Sequence, residues 1–179
     1  RTNLKRGLIP VNTPSETAVS VDTLPKKIVS GGQTGVDRAA LDTAIRFNIS
    51  CGGWVPKGRR AEDGPIPSMY PVTETASSAY DVRTRKNIED SDATLILTRG
   101  EPSGGTKLTL EIARELGRPY HIVDLTRTHS PLAALRWLEA KKPNKLNIAG
   151  PRESGAGGIH AEAMSFLTNL LQLAGAKAL

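Results

Sequence analysis

Cysteine is nearly absent from this chain: Cys51 stands alone among 179 residues, so no disulfide can form within it. A lone thiol fits a reducing compartment, and a cytoplasmic setting is expected. The three histidines, His121, His129 and His160, are scattered and show no zinc-ligand spacing. No protein-ligated metal is expected. Aromatic residues make up only 4% of the chain. A surface that binds nucleic acid interleaves aromatic residues with basic ones, so this shortage argues against a nucleic-acid partner. No apolar run approaches the roughly 18 residues of a membrane span, and no membrane partner is expected. The opening segment also lacks the apolar stretch of a secretory signal.

What is present is positive charge and glycine. The formal net charge is +6 and the pI about 9.7. Such a surface attracts anions of every size, and an anionic small molecule is the expected partner. At 38% hydrophobic, the chain is long and apolar enough for one domain with a real core.

Residues 1–25 differ from the rest, with Pro10, Pro14 and Pro25 and little periodicity. They read as a disordered or docking tail, and residues 26–179 as the folded domain. The chain opens on Arg1, which reads as the start of a trimmed product or fragment. From Lys27 onward, short apolar runs alternate with stretches of helical period. Strands are predicted at 27–30, 49–55, 93–97, 120–123 and 145–149. Helices are predicted from Val36, over 79–90, around Leu108–Leu116, around Leu132–Leu138 and from Ile159 to a stop at Gly175. This alternation predicts a Rossmann-like α/β fold with a mainly parallel sheet of about five strands and helices on both faces.

Three of the strand-to-helix connections are rich in glycine. They are SGGQTG at residues 30–35, TRGEPSGGTK at 98–107 and GPRESGAGG at 150–158. In an open parallel sheet such turns emerge at one edge, where ligands bind. A helix start offers unpaired N–H groups and about half a positive charge, and glycine lets a ligand approach the backbone. The three turns together predict a phosphate or oxyanion site. Neither standard nucleotide fingerprint fits. Gly31-Gly32-x-x-Gly35 is not G-x-G-x-x-G, and no acid follows about twenty residues on. Gly100 and Gly105 have P-loop spacing, but Thr106 precedes Lys107, which turns the lysine roughly 100° around the helix. Asp37 follows the first turn. It either complements the helix dipole or meets a ligand hydroxyl, amino group or phosphate-held metal.

The segment WVPKGRRAEDGPIPSMYP, residues 54–71, is long for so compact a domain. Its cluster of Lys57, Arg59 and Arg60 is suited to gripping phosphate, and Trp54 to covering a flat ring or packing in the core. Arg99 and Arg152 lie within glycine turns and are further candidates. Arg83 and Asn87 share a helix face that can join the site if it meets the sheet edge.

The blocks SGGQTGVDRAALD and GGWVPKGRRAEDGPIP resemble the molybdenum-cofactor carrier family, also described as circularly permuted YpsA-like proteins. These belong to a wider Rossmann-like group that includes the LOG enzymes and DprA. The likeness runs from about residue 26 to 174. It implies a Rossmann-like fold, homo-oligomers and a pocket for a nucleotide-like or phosphorylated ligand. For carrier members that ligand is molybdenum cofactor, a pterin with a terminal phosphate and a dithiolene-bound molybdenum. On matching positions it implies binding roles for Gly31, Gly32, Gln33, Thr34 and Gly35, and for Lys57, Gly58, Arg59 and Arg60. Gly104, Gly105 and Thr106 match the group's second phosphate turn. The LOG enzymes raise an alternative, glycosidic hydrolysis of a nucleoside phosphate. Their signature is PGGxGTxxE, and here SGGTKLTLE lacks the inner glycine and puts Glu111 five positions after the threonine rather than three. Glu111 is the candidate catalytic acid of that reading.

Overall fold

A computed structural model describes residues 23–179. Most of the expected tail, residues 1–22, lies outside the described residues. Of its last three, Thr23 is buried and Leu24 packs on the core.

Five strands form one parallel sheet: β1 (Lys27–Val29), β2 (Ser50–Gly52), β7 (Ala93–Thr98), β8 (Tyr120–Asp124) and β9 (Lys145–Ala149). Their order is β2-β1-β9-β7-β8. The chain runs outward from β1 to β2 and from β7 to β8, then returns to place β9 in the centre. Five helices cover the sheet: α1 (Val36–Arg46), α2 (Tyr80–Glu89), α3 (Gly104–Glu115), α4 (Leu132–Lys141) and α5 (Ile159–Leu173). The expected Rossmann-like architecture is what the chain adopts. Each parallel neighbour is reached through a crossover, which is why helices separate the strands.

The two faces of the sheet differ. On one, α1 and α5 pack closely, because Ala39, Ala40, Ala44 and Ala163 keep the contact thin. Phe166, Leu167, Leu170 and Leu171 recur at helical spacing and join Ile28, Leu95, Leu97, Leu146 and Ile148 from the strands. This is the main core. On the other face α2 and α3 share only a small apolar cluster of Ile88, Ile112 and Ala113. There the sheet shows buried polar residues, Thr94, Thr98 and Asn147. Strand alternation puts these on the face opposite Leu95, Leu97, Leu146 and Ile148.

The segment after β2 is ordered by small pairings. In it, β3 (Trp54–Val55) pairs in parallel with β6 (Thr73–Glu74), and β4 (Arg60–Ala61) with β5 (Gly64–Pro65) in antiparallel. Val55, Ala61, Ile66 and Tyr70 form a satellite core with Leu41 of α1. The long loop is therefore a packed subdomain. Sequence periodicity cannot reveal pairings only two residues long.

Candidate functional site

With β9 between β1 and β7, the loops after these three central strands emerge side by side. All three glycine turns meet there, around a cavity of about 440 Å³. That volume lies in the usual range for small-molecule sites. Thr98 and Asn147 lie on the sheet side, α2 supplies one wall through Tyr80, Arg83 and Asn87, and α3 supplies another through its first turn.

The first and third turns are locked together. Val36 N–H donates to Pro151 O at 3.2 Å. Gly35 has φ 77°, and a Cβ there would fall 2.3 Å from Pro151 O. Only glycine permits both the left-handed backbone and this approach. Glu62, from the hairpin of β4 and β5, joins the same two turns. Its carboxylate accepts from the Thr34 and Ser154 hydroxyls, and from Ser154 N–H at 3.1 Å. Gln33 Oε1 accepts from Thr34 N–H at 3.1 Å and Glu62 N–H at 2.9 Å. Arg38 grips Asp63 through both terminal nitrogens.

The three helix starts are not equivalent. At α5 the carboxylate of Glu153 accepts from the Gly158 and His160 N–H groups. The chain thus supplies its own anion at that helix. At α1, Val36 N–H is taken by Pro151 and the buried Asp37 occupies the first turn. At α3, Ser103 makes no side-chain cap, and the Gly104 and Gly105 N–H groups find no acceptor among the described residues. Ser103, Gly104 and Gly105 are exposed to the cavity that they line. This start carries open donors and the positive end of a 12-residue helix. Thr106 is 5% exposed and also lines the cavity.

Asp37, in the first turn of α1, is buried and lines the same cavity. Its Oδ2 accepts from Arg83 Nη1 at 3.1 Å and from Gln33 N–H at 3.3 Å. Burial pushes the Asp37 carboxyl above its ordinary 3.8, while the Arg83 charge pulls it back. The Arg83 and Arg60 guanidinium groups lie 5.5 Å and 4.9 Å from the Tyr80 ring centre.

The candidates from sequence therefore divide. Gly31, Gln33, Asp37 and Arg99 line the cavity, as do Gly104, Gly105, Thr106 and Arg152. Arg99 is tied to Glu162 by bonds of 2.9 Å and 3.0 Å and to Gly157 O at 2.8 Å, which joins the second turn to the third. Gly32, Thr34 and Gly35 belong to the supporting turn rather than the wall. Arg59 folds back on its own loop, donating to the carbonyls of Ile66, Pro67 and Tyr70. Gly58 N–H meets Glu74. Lys57 is exposed outside the wall, and Arg60 reaches it only through Tyr80. Trp54 covers no part of the cavity. Its backbone is held by Asn87, its indole N–H by Asp90, and Lys86 Nζ lies 4.2 Å from its ring. Glu111 lines a separate hollow between α2 and α3 and faces Lys107 at 3.8 Å. Asn147 and Tyr80 were not anticipated. An asparagine inside the apolar run LNIA was a usable signal for the first, whereas nothing local marked Tyr80.

A comparison with curated proteins finds no match. Among solved structures, the chain is similar to a "Putative molybdenum carrier protein" from Syntrophus aciditrophicus SB, whose crystal structure is at 1.45 Å resolution. The two are 45% identical with a TM-score of 0.80, over 82% of this chain and 95% of the other. The model of the circularly permutated YpsA SLOG family matches residues 28–171. That match takes in every strand of the large sheet but part of β1, together with the three glycine turns, and it makes this chain a member of the circularly permutated YpsA SLOG family.

Proposed function

We propose that this protein is a carrier-type binding protein for a phosphorylated, flat-ringed small molecule, and that molybdenum cofactor is its cargo. The observation that carries the reading is the uncapped start of α3 at the cavity wall. Of the three helix starts gathered there, it is the one with neither an internal anion nor a carboxylate in its first turn. A terminal phosphate would take the Gly104 and Gly105 amides and the Ser103 and Thr106 hydroxyls. The basic chain would draw such a ligand in. The ring would then lie toward Tyr80 and Asn147. The similarity to a protein described as a molybdenum carrier supports the choice of cargo.

The donor set fits a ligand that brings its own metal ligands. Among the described residues, no cluster of three His, Cys, Asp or Glu side chains could hold a metal ion. Molybdenum would therefore stay on the dithiolene of its pterin, and the protein would hold the organic part.

The test uses Gly105→Asp. A Cβ at residue 105 meets nothing within 4 Å and the backbone there is not left-handed, so the variant folds. Its carboxylate would occupy the phosphate position. Parent and variant are expressed in a host that makes molybdenum cofactor. Molybdenum and pterin fluorescence are then measured on the purified proteins. The parent is expected to carry both and the variant neither. Equal loading would remove this turn from the site.

A further inference from the structure

A site for an anion alone does not call for a buried carboxylate, yet one lies in this wall. Asp37 is 5% exposed and lines the cavity. Both bonds it accepts fall on Oδ2, from Arg83 Nη1 and Gln33 N–H. Its Oδ1 accepts from no donor among the described residues. Unlike Arg83 Nε, this oxygen is not sealed off from the cavity, so it is open to a donor that enters there.

Arg83 is in a matching state. Its Nη1 pairs with Asp37, its Nε is buried without a partner, and its Nη2 donates to no group among the described residues. Gly31 leaves the space this guanidinium fills, since a Cβ there would fall 1.5 Å from Nη1. The wall therefore presents an unused acceptor next to an unused donor. A bare phosphate can use the donor but is repelled by the carboxylate. A neutral ring edge with an N–H beside an acceptor uses both. Lactam rings of pterins and hypoxanthine have such an edge.

We propose that the Asp37–Arg83 pair reads the ring edge of the ligand. Asp37 Oδ1 accepts from a ring or amino N–H, and Arg83 donates to the ring acceptor beside it. The cavity thereby selects a phosphorylated heterocycle with a donor–acceptor edge over a sugar phosphate. This rests on the function proposed above, because phosphate at the start of α3 is what brings the ring within reach.

Calorimetry on the full chain with three probes tests it. They are inosine 5′-monophosphate, purine riboside 5′-monophosphate, which keeps the phosphate and sugar but has no N–H on its six-membered ring, and ribose 5-phosphate. The inosine compound is expected to bind about tenfold more tightly than the purine riboside compound, the scale of one hydrogen bond to a charged group. In Asp37→Ala the gap between the two purines narrows, the rest being the Arg83 bond to the carbonyl that purine riboside also lacks, and ribose 5-phosphate binds at least as tightly as to the parent, which also shows that the variant is folded. If that variant does not fold, the parent's preference between the two purines decides alone. Equal binding of both purines by the parent, with ribose 5-phosphate still bound and lost in Gly105→Asp, overturns the ring-edge assignment and leaves the phosphate site standing. Binding of none of the three overturns both.

Discussion

The guanidinium of Arg83 lies against the backbone of Gly31, so closely that a Cβ at residue 31 would stand 1.5 Å from Arg83 Nη1 and 2.9 Å from Asp37 Oδ2. The φ of Gly31 is not in the left-handed region, so the glycine is needed for room and not for its backbone angle. One missing side chain thus lets α2 place an arginine at the end of β1.

Gly31→Ala is expected to push Arg83 off Asp37 and leave a carboxylate without its counter-charge. The loss should be roughly 3–5 kcal/mol in urea unfolding, the range for breaking a buried pair. In an Arg83→Met background the same Gly31→Ala change should do much less, because the guanidinium it strikes is gone and only the 2.9 Å approach to Asp37 Oδ2 remains. Equal losses in both backgrounds would show that residue 31 is constrained by something other than Arg83.

Glu153 is the internal anion of α5, and its carboxyl is held below its ordinary 4.5 by the His160 and Gly158 N–H groups. Glu153→Gln should lose about 1 kcal/mol at neutral pH, as for other helix caps. A depressed folded-state value means that the contribution is present above 4.5 and fades as pH falls through the lower folded value. The gap between parent and variant in urea unfolding should therefore narrow on acidification. A gap that stayed constant with pH would show that the charge of Glu153 is not what stabilises the helix start.

Asn87 fastens β3 to α2 with two bonds, accepting from Trp54 N–H at 2.7 Å and donating to Trp54 O at 2.9 Å. Asn87→Ala would leave both backbone groups unpaired, at a loss of about 2–3 kcal/mol. Hydrogen exchange at the Trp54 amide reads the same event and should speed up. An unchanged exchange rate would mean that pairing with β6 suffices to hold this strand.

How much of this was legible beforehand follows from the range of the interactions. The 3.6-residue recurrence of Ala39, Ala40, Ala44 and of Ile159, Ala163, Phe166 is local, and it marked the helices that the structure contains. The convergence of the glycine turns followed from parallel topology alone. The central position of β9 did not, since strand order depends on contacts between distant segments. The expected separation of a basic grip from a glycine cradle failed to anticipate that Arg59 has its own loop carbonyls as partners. Arginine is as apt for closing a loop on itself as for holding phosphate, and composition does not distinguish the two. Likewise Glu153 reads as an ordinary loop acid until the 3-10 turn at Glu153–Gly155 brings it back to the start of α5.

Glu62 is the remaining element that the site depends on without lying in its wall. Burial pushes its carboxyl upward, but hydrogen bonds from Ser154 and Thr34 outweigh this and hold it below its ordinary 4.5. Arg152 Nη1 adds a longer contact at 3.9 Å. Through these partners one side chain of the β4–β5 hairpin ties the first glycine turn to the third. Glu62→Ala should free both turns while leaving every cavity-lining side chain in place. The expected result is faster hydrogen exchange at Ser154 and weaker binding of a phosphorylated probe by about tenfold, the effect of losing roughly 1.4 kcal/mol of preorganisation. Glu62→Gln keeps the shape and one acceptor oxygen but puts an NH2 donor in place of the other, so it should fall between parent and alanine variant. If Ser154 exchange rises but affinity does not change, the Glu62 clamp is not needed for binding, and the remaining contacts between the turns, Val36–Pro151 among them, suffice to shape the cavity.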